Sequence, residues 1–276
     1  MRNLATEETA TEDTAVAEVT LIHGTSANMT ELQDGSVDLI LTGPPYYSPV
    51  TEQKLDRGVN EQANLDELDQ EIQAFAWSLR GSFEEAQRVL RAGGCLIVQT
   101  RDVRVRQVLS PVESIHRQLI EATGLRLYTK YFWLPLHQTL TRRRLRAALV
   151  KRYGPLSQDA EVFLVFLKPG AVKERVFDPA EEEHLRKALE PVSSVGANTH
   201  HRYQAPLNAV KALIACYSQP GDLVVDLFAG GATTLSAARD LGRRAFGYEI
   251  DPEALALARR VLGAAQRLQG EQGLAI

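Results

Sequence analysis

Cysteine is nearly absent. Cys95 and Cys216 are the only two, far apart and each inside an apolar run. That argues against a disulfide-stapled scaffold and gives little support to a thiolate metal site, so core packing is the expected role of both. Long apolar runs are missing as well: none approaches the roughly 18 residues of a membrane span. The N-terminus is acidic rather than basic and then apolar, which is not the pattern of a secretory signal. The expected compartment is the cytoplasm. Net positive charge is lacking too. The formal charge is −4, so a nucleic-acid partner has to be met by a local basic patch rather than by the whole surface. What is present is ordinary for a soluble globular enzyme: 276 residues, 44% hydrophobic and 24% charged, enough for one large domain or two small ones.

Along the chain, Met1 to about Glu18 carries Glu7, Glu8, Glu12, Asp13 and Glu18 among Thr and Ala. It reads as a solvated, disordered tail. Strands are expected at Val19 to Ile22, Val37 to Leu41, Leu96 to Gln99, Leu125 to Leu134, Val162 to Leu167, Leu223 to Leu227 and Ala245 to Ile250. Leu65, Leu68, Ile72, Phe75, Leu79, Phe83, Ala86 and Leu90 keep helical spacing. They predict one long helix, opened by Asn64 with Glu67 three residues on and ended by Gly93-Gly94. Further helices are expected from Ser110-Pro111 to Gly124, from Pro206, from Thr233 to Leu241, and after Asp251 as cap with Pro252 in the first turn. Ser48 to Gln62 is polar and aperiodic and reads as a loop. Strands alternating with helices imply an α/β fold whose mostly parallel sheet is covered on both faces.

Two stretches carry chemistry. In the first, Leu39-Ile40-Leu41-Thr42-Gly43-Pro44-Pro45-Tyr46-Tyr47, a buried strand runs straight into two prolines and two tyrosines. Neither proline can donate to a ladder. The strand therefore ends in a rigid backbone with free carbonyls beside a flat aromatic surface, which suits a planar ring bearing an amino group. In the second, Val224-Val225-Asp226-Leu227-Phe228-Ala229-Gly230-Gly231, a buried strand ends in an acid, turns through glycines and enters a helix at Thr233 and Thr234. The following strand ends at Glu249. This is nucleoside-binding geometry, with the second acid placed for a ribose diol. A dinucleotide site wants G-x-G-x-x-G so that pyrophosphate can sit on the helix N-terminus. Asp226 and Phe228 would repel and crowd a pyrophosphate. They suit a zwitterion with an amino group, such as the methionine end of S-adenosyl-L-methionine. The bland alternative is a glycine turn after a core strand with an incidental acid.

Both stretches resemble one family, the amino-group DNA methyltransferases that modify cytosine N4 or adenine N6. Its catalytic tetrapeptide, (Asp/Asn/Ser)-Pro-Pro-(Tyr/Phe/Trp), corresponds to Gly43-Pro44-Pro45-Tyr46. Its cofactor motif, Asp-Pro/Leu-Phe-Ala-Gly-Ser-Gly-Thr-Thr, corresponds to Asp226 to Thr234, with Gly231-Ala232 in place of Ser-Gly. The catalytic motif comes first, which resembles the permuted beta class. His23-Gly24-Thr25 resembles the Gly-Asp element before the catalytic strand, with Thr25 where Asp is usual. Arg88 to Gly94, His201 to Pro206 and Gly242 to Glu249 resemble further family segments. Thr42 before the tetrapeptide favours the cytosine-N4 subgroup; Gly43 fits neither subgroup.

The resemblance implies a Rossmann-like S-adenosylmethionine-dependent methyltransferase fold of the seven-stranded type. Residues 19–276 would form a single domain, with a DNA-recognition region within 135–200. It implies Thr42, Gly43, Pro44, Pro45 and Tyr46 as catalytic. It implies Thr25, Asp226, Phe228, Ala229, Gly230, Gly231, Thr233, Thr234, Glu249, His201 and Pro206 around a cofactor that leaves as S-adenosyl-L-homocysteine, with no metal. The target base would be flipped out of the duplex. A carbon-5 cytosine enzyme would need a cysteine nucleophile after proline, and neither Cys95 nor Cys216 has that context.

In the family, the Pro44 carbonyl and the side chain at position 43 would accept the hydrogens of the target amine. Gly43 has no side chain to do so. Three readings stay open from sequence alone: a water or the Thr42 hydroxyl stands in, the enzyme is slow, or the position inactivates it and leaves a silent binder. The basic cluster Arg142, Arg143, Arg144, Arg146, Lys151 and Arg152 is expected, with Tyr47, to contact DNA, since Arg suits phosphates and guanine edges. A solvated helix face is the ordinary alternative for such a run. Double-stranded DNA with a short recognition sequence is the implied partner, at the nucleoid and not at a membrane. A cognate restriction endonuclease and a homodimer are compatible with it.

Overall fold

The computed structural model describes residues 17–45, 65–105, 108–133, 161–173 and 207–272. The acidic tail up to residue 16, the polar segment 48–62, Asn64, Tyr46, Tyr47, the basic cluster, His201 and Pro206 lie outside the described residues.

Nine strands and six helices are described. The strands are β1 (Val19–His23), β2 (Val37–Thr42), β3 (Leu90–Thr100), β4 (Val103–Val105), β5 (Val108–Ser110), β6 (Arg126–Trp133), β7 (Glu161–Leu167), β8 (Leu223–Asp226) and β9 (Arg244–Glu249). The helices are α1 (Leu65–Ser78), α2 (Arg80–Val89), α3 (Val112–Ala122), α4 (Leu207–Tyr217), α5 (Thr233–Asp240) and α6 (Pro252–Gln272). Seven strands form one sheet in the order β1-β9-β8-β2-β3-β7-β6, and β4 pairs with β5 apart from it. Every pairing from β1 to β3 is parallel; β7 runs antiparallel to both β3 and β6. The expected mostly parallel sheet is therefore present, with one reversed strand near an edge.

Side chains alternate across this sheet, so each central strand feeds two cores. Val37, Ile40, Leu96, Val98 and Val225 pack with Phe83, Ala86, Leu119 and Ile120 on one face. Leu39, Leu41, Ile97 and Val224 pack with Val210, Ile214, Leu235 and Ala238 on the other. The first helical layer is α1 to α3 and the second α4 to α6. Burying each Leu, Ile or Val contributes roughly 1.5–3 kcal/mol. That is why β2 reads as an almost unbroken apolar run.

Three sequence expectations need correction. The single long helix is two, parted at Leu79, whose N–H donates to Ala76 O at 3.2 Å. Gly81 just beyond the break faces Ala27: a Cβ there would stand 3.1 Å from the Ala27 Cβ. The loop after β1 thus lies against the start of α2. Gly93-Gly94 does not end a helix but lies inside β3. Gly93 N–H donates to Lys168 O, Lys168 N–H donates to Gly94 O, each at 3.0 Å, and Gly93 takes φ +73°. The carbonyls at the end of α2 are met instead by Lys168 Nζ, which donates to Gln87 O at 2.6 Å and to Leu90 O at 2.7 Å. Ser110 ends β5 rather than capping a helix; α3 starts after Pro111. The Asp251 cap stands as expected, accepting from the N–H groups of Glu253 and Ala254 at 2.8 and 2.9 Å.

Candidate active site

The chain leaves β2 for β3 on one side, while β8 continues to β9 and β1 on the other. Ligands of open α/β sheets bind in the crevice at such a reversal, outside the carboxyl ends of the strands. Those ends hold the residues singled out from the sequence: Gly24 and Thr25 after β1, Thr42 and Gly43 at β2, Asp226 at β8, Glu249 at β9. All but Thr42 line one cavity of about 620 Å³ together with Pro44, Pro45, Phe228, Ala229, Gly230, Gly231, Thr233 and Thr234. Gln99, from the end of β3, lines it as well.

Asp226 is almost fully buried. Its Oδ1 accepts from Thr42 Oγ1 at 2.7 Å and from the Phe228 N–H at 3.1 Å. The Thr234 hydroxyl also bonds to this carboxylate. Burial pushes its pKa up to about 6, against those hydrogen bonds, and the nearby Glu249 charge adds to the rise. Thr42 is wholly buried, and its hydroxyl proton goes to Asp226. It ties β2 to β8 across a sequence separation of 184.

Glu249 is held by the loops on either side of it. Oε2 accepts from the Gly230 N–H at 2.7 Å and Oε1 from the Asp251 N–H at 2.8 Å. Each carboxylate oxygen has a further lone pair, so both can still take a ribose hydroxyl. The donor set fits S-adenosylmethionine: a buried carboxylate for an ammonium, a second for a cis-diol, and a glycine turn that lets backbone approach. The volume lies within the usual range of about 300–1,000 Å³ for small-molecule sites.

The turn between them is unusual at Ala232, which takes φ +63° where the resembling family carries glycine. A left-handed conformation costs a non-glycine residue about 1–2 kcal/mol. The Ala232 methyl is completely buried in the second core, and that burial returns about 0.8 kcal/mol. Replacing it by glycine would also raise the entropy of the unfolded chain, by about 0.4–1 kcal/mol. The terms nearly cancel. Ala232→Gly is therefore expected to shift denaturant-measured stability by less than about 0.5 kcal/mol, although glycine is the residue that conformation favours.

Sequence reading missed Gln99 and Glu161. Gln99 Nε2 donates to Glu161 Oε2, and Gln99 is buried beside Gly43. Burial pushes the Glu161 carboxyl above the usual range, opposed by the Gln99 hydrogen bond and the Arg101 charge. The available signal was a lone amide closing the apolar run Leu96-Ile97-Val98.

A seven-stranded sheet with one reversed strand, and an acid-tipped cavity at its switch point, have the architecture of the Rossmann-like methyltransferase fold. The comparisons narrow this. The family model described as DNA methylase, for N6 and N4 amino-methyltransferases, matches residues 37–260. The chain belongs to that family. The type II methyltransferase M.MthZI of Methanothermobacter thermautotrophicus is 26% identical over 256 residues, 82% of this chain and 71% of its own. A putative DNA modification methylase of Thermus thermophilus, solved with S-adenosyl-L-methionine, shares the fold at TM-score 0.61 and 22% identity, covering 89% of this chain and 92% of its own. The cytosine-N4-specific PvuII DNA methyltransferase does so at TM-score 0.60 and 18% identity, covering 88% and 86%. No helix among the described residues is long and apolar enough to cross a membrane.

Proposed function

We propose that this chain transfers a methyl group from S-adenosyl-L-methionine to the exocyclic N4 of a cytosine flipped out of duplex DNA. One observation carries the reading. The segment that ends β2, Gly43-Pro44-Pro45, lines the same cavity as Asp226 and Glu249. An amine at the first is thus presented to a cofactor held by the second.

The bound cofactor supplies an electrophilic S-methyl group. Asp226 orients its ammonium and Glu249 its ribose. Thr25, Phe228, Ala229, Gly230, Gly231, Thr233 and Thr234 shape the wall, and the family resemblance adds His201 and Pro206 as cofactor contacts. The Pro44 carbonyl accepts one hydrogen of the target amine and draws its nitrogen toward tetrahedral geometry. That localises the lone pair which the ring otherwise delocalises. Pro45 keeps the backbone rigid, and Tyr46 stacks on the extruded base. Positioning supplies most of the rate, as when any bimolecular step becomes intramolecular. Tyr47 and the cluster Arg142, Arg143, Arg144, Arg146, Lys151 and Arg152 contact DNA, with residues 135–200 as the recognition region of a single domain spanning 19–276. Thr42 before the tetrapeptide supports cytosine N4 as the target. A short specific site, a cognate restriction endonuclease, a homodimer and a cytoplasmic, nucleoid-associated life belong to this reading.

Incubation with labelled cofactor and duplex DNA, followed by mass spectrometry of the digested DNA, is expected to give N4-methylcytosine. N6-methyladenine would overturn the choice of base and keep the class. No label from cofactor on any DNA would make the chain a silent binder.

A further inference from the structure

Position 43 lacks the side chain expected to accept the second hydrogen of the target amine. The Thr42 hydroxyl does not take its place, since the residue is wholly buried and does not line the cavity. Gln99 stands where an acceptor is needed. A Cβ built on Gly43 would lie 3.9 Å from Gln99 Oε1 and 4.0 Å from Gln99 Cβ. The amide oxygen therefore borders the space that a side chain at 43 would enter, on the wall of the same cavity.

The other end of the amide fixes its orientation. Nε2 donates to Glu161 Oε2. With Nε2 given to Glu161, the amide oxygen is left toward Gly43. Glu161 is placed there by the reversed strand. β7 begins at Glu161 and pairs antiparallel with β3, setting Phe163 against Gln99 and Val162 against Thr100. A parallel neighbour would bring its own carboxyl end to this spot instead.

We propose that Gln99 is a catalytic residue of this pocket: its Oε1 accepts one hydrogen of the target amine where Gly43 offers nothing, and Glu161 is its positioning residue. This rests on the amino-methylation reading above. The amine is gripped by two acceptors, the Pro44 carbonyl and Gln99 Oε1. Its nitrogen lone pair forms the new N–C bond as the S–C bond breaks, and that bond's electron pair stays on sulfur. The nitrogen, briefly cationic, then sheds a proton to water, because neither an amide nor a backbone carbonyl is a base. A hydrogen bond that strengthens as charge develops lowers the barrier more than it tightens the ground state.

The test uses Gln99→Leu, Glu161→Leu, Gln99→Leu/Glu161→Leu, and Gly43→Ser in the native and double-variant backgrounds. Single-turnover methyl transfer to duplex DNA and cofactor affinity are read side by side. Gln99→Leu is expected to slow transfer about 10- to 100-fold with cofactor affinity unchanged. The double variant removes both polar partners together, so no carboxylate is left unpaired and folding is not at issue. It should match Gln99→Leu, since the two residues act as a unit. Adding Gly43→Ser to it should restore most of the rate, because the Gly43 site has room for a side chain. An unchanged rate in the double variant, a loss of cofactor affinity in step with rate, or no recovery by Gly43→Ser would overturn the proposal and leave the function standing. So would a native protein that is inactive until Gly43→Ser is introduced. No transfer by either protein would overturn both.

Discussion

Asp226→Asn is expected to weaken S-adenosylmethionine binding while making the free protein more stable. The two effects have one origin. Burial pushes the Asp226 pKa from the ordinary 3.8 up to about 6. In the unfolded chain the carboxyl ionises near 4; in the folded chain it holds its proton until about pH 6. Folding thus takes up a proton between these values, so stability falls as pH rises through the window, and the deficit persists above it. Asparagine carries no charge yet keeps an oxygen to accept from Thr42 Oγ1 and the Phe228 N–H. The variant should therefore melt higher than the native protein at pH 8 and about equally at pH 4. Cofactor binding reverses the account. A bound ammonium matches the buried carboxylate, and removing one member of a buried charge pair costs about 2–5 kcal/mol, or roughly 30- to several-thousand-fold in affinity. Native affinity should also drop below about pH 6 as Asp226 protonates, while the variant's affinity stays flat. Calorimetric titration with thermal unfolding at each pH checks both halves. Retained affinity in the variant would remove Asp226 from the cofactor site.

Tyr46→Ala is expected to separate chemistry from cofactor binding in the opposite sense. An extruded base loses its stacking neighbours, which costs a few kcal/mol. Stacking on a tyrosine returns about 1–3 kcal/mol. Without the ring, the flipped state is less populated and the amine is less firmly placed. Methyl transfer should fall by up to about 10²-fold, the upper end of that stacking range, with S-adenosylmethionine affinity unchanged. Tyr46→Phe should retain most activity, since it keeps the ring and loses only the hydroxyl. A parallel loss of rate and cofactor affinity would make Tyr46 a structural residue.

Much of this protein was legible because its signals are local. β2 appears as Val37 to Leu41 because strands buried on both faces read as apolar runs. The acids ending β8 and β9 appear because strand ends carry the ligands in this architecture. The Asp251 cap appears because a side chain and the amides it satisfies lie within three residues. The missed features have partners far away. The apolar spacing through Leu79 continues without interruption, and nothing in it announces that the helix is parted there. Gly93-Gly94 resembles a helix end, and only pairing with Lys168 shows that it serves a strand.

The sequence by itself determined an α/β chain with two strand ends marked out by residue type, one running into Gly43-Pro44-Pro45 and one ending in Asp226, with Glu249 ending the strand after it. Residue type and spacing along the backbone suffice for that, since periodicity and turn chemistry are properties of neighbouring residues. Only the tertiary structure decided that these ends share one cavity, that the Thr42 hydroxyl is committed to Asp226, and that Gln99 turns its amide oxygen toward Gly43. Those facts depend on strand order and on the reversal of β7, which joins Gln99 to Glu161 across a separation of 62. Pairings at such distances are set by how the two cores close over the sheet, which no local pattern records.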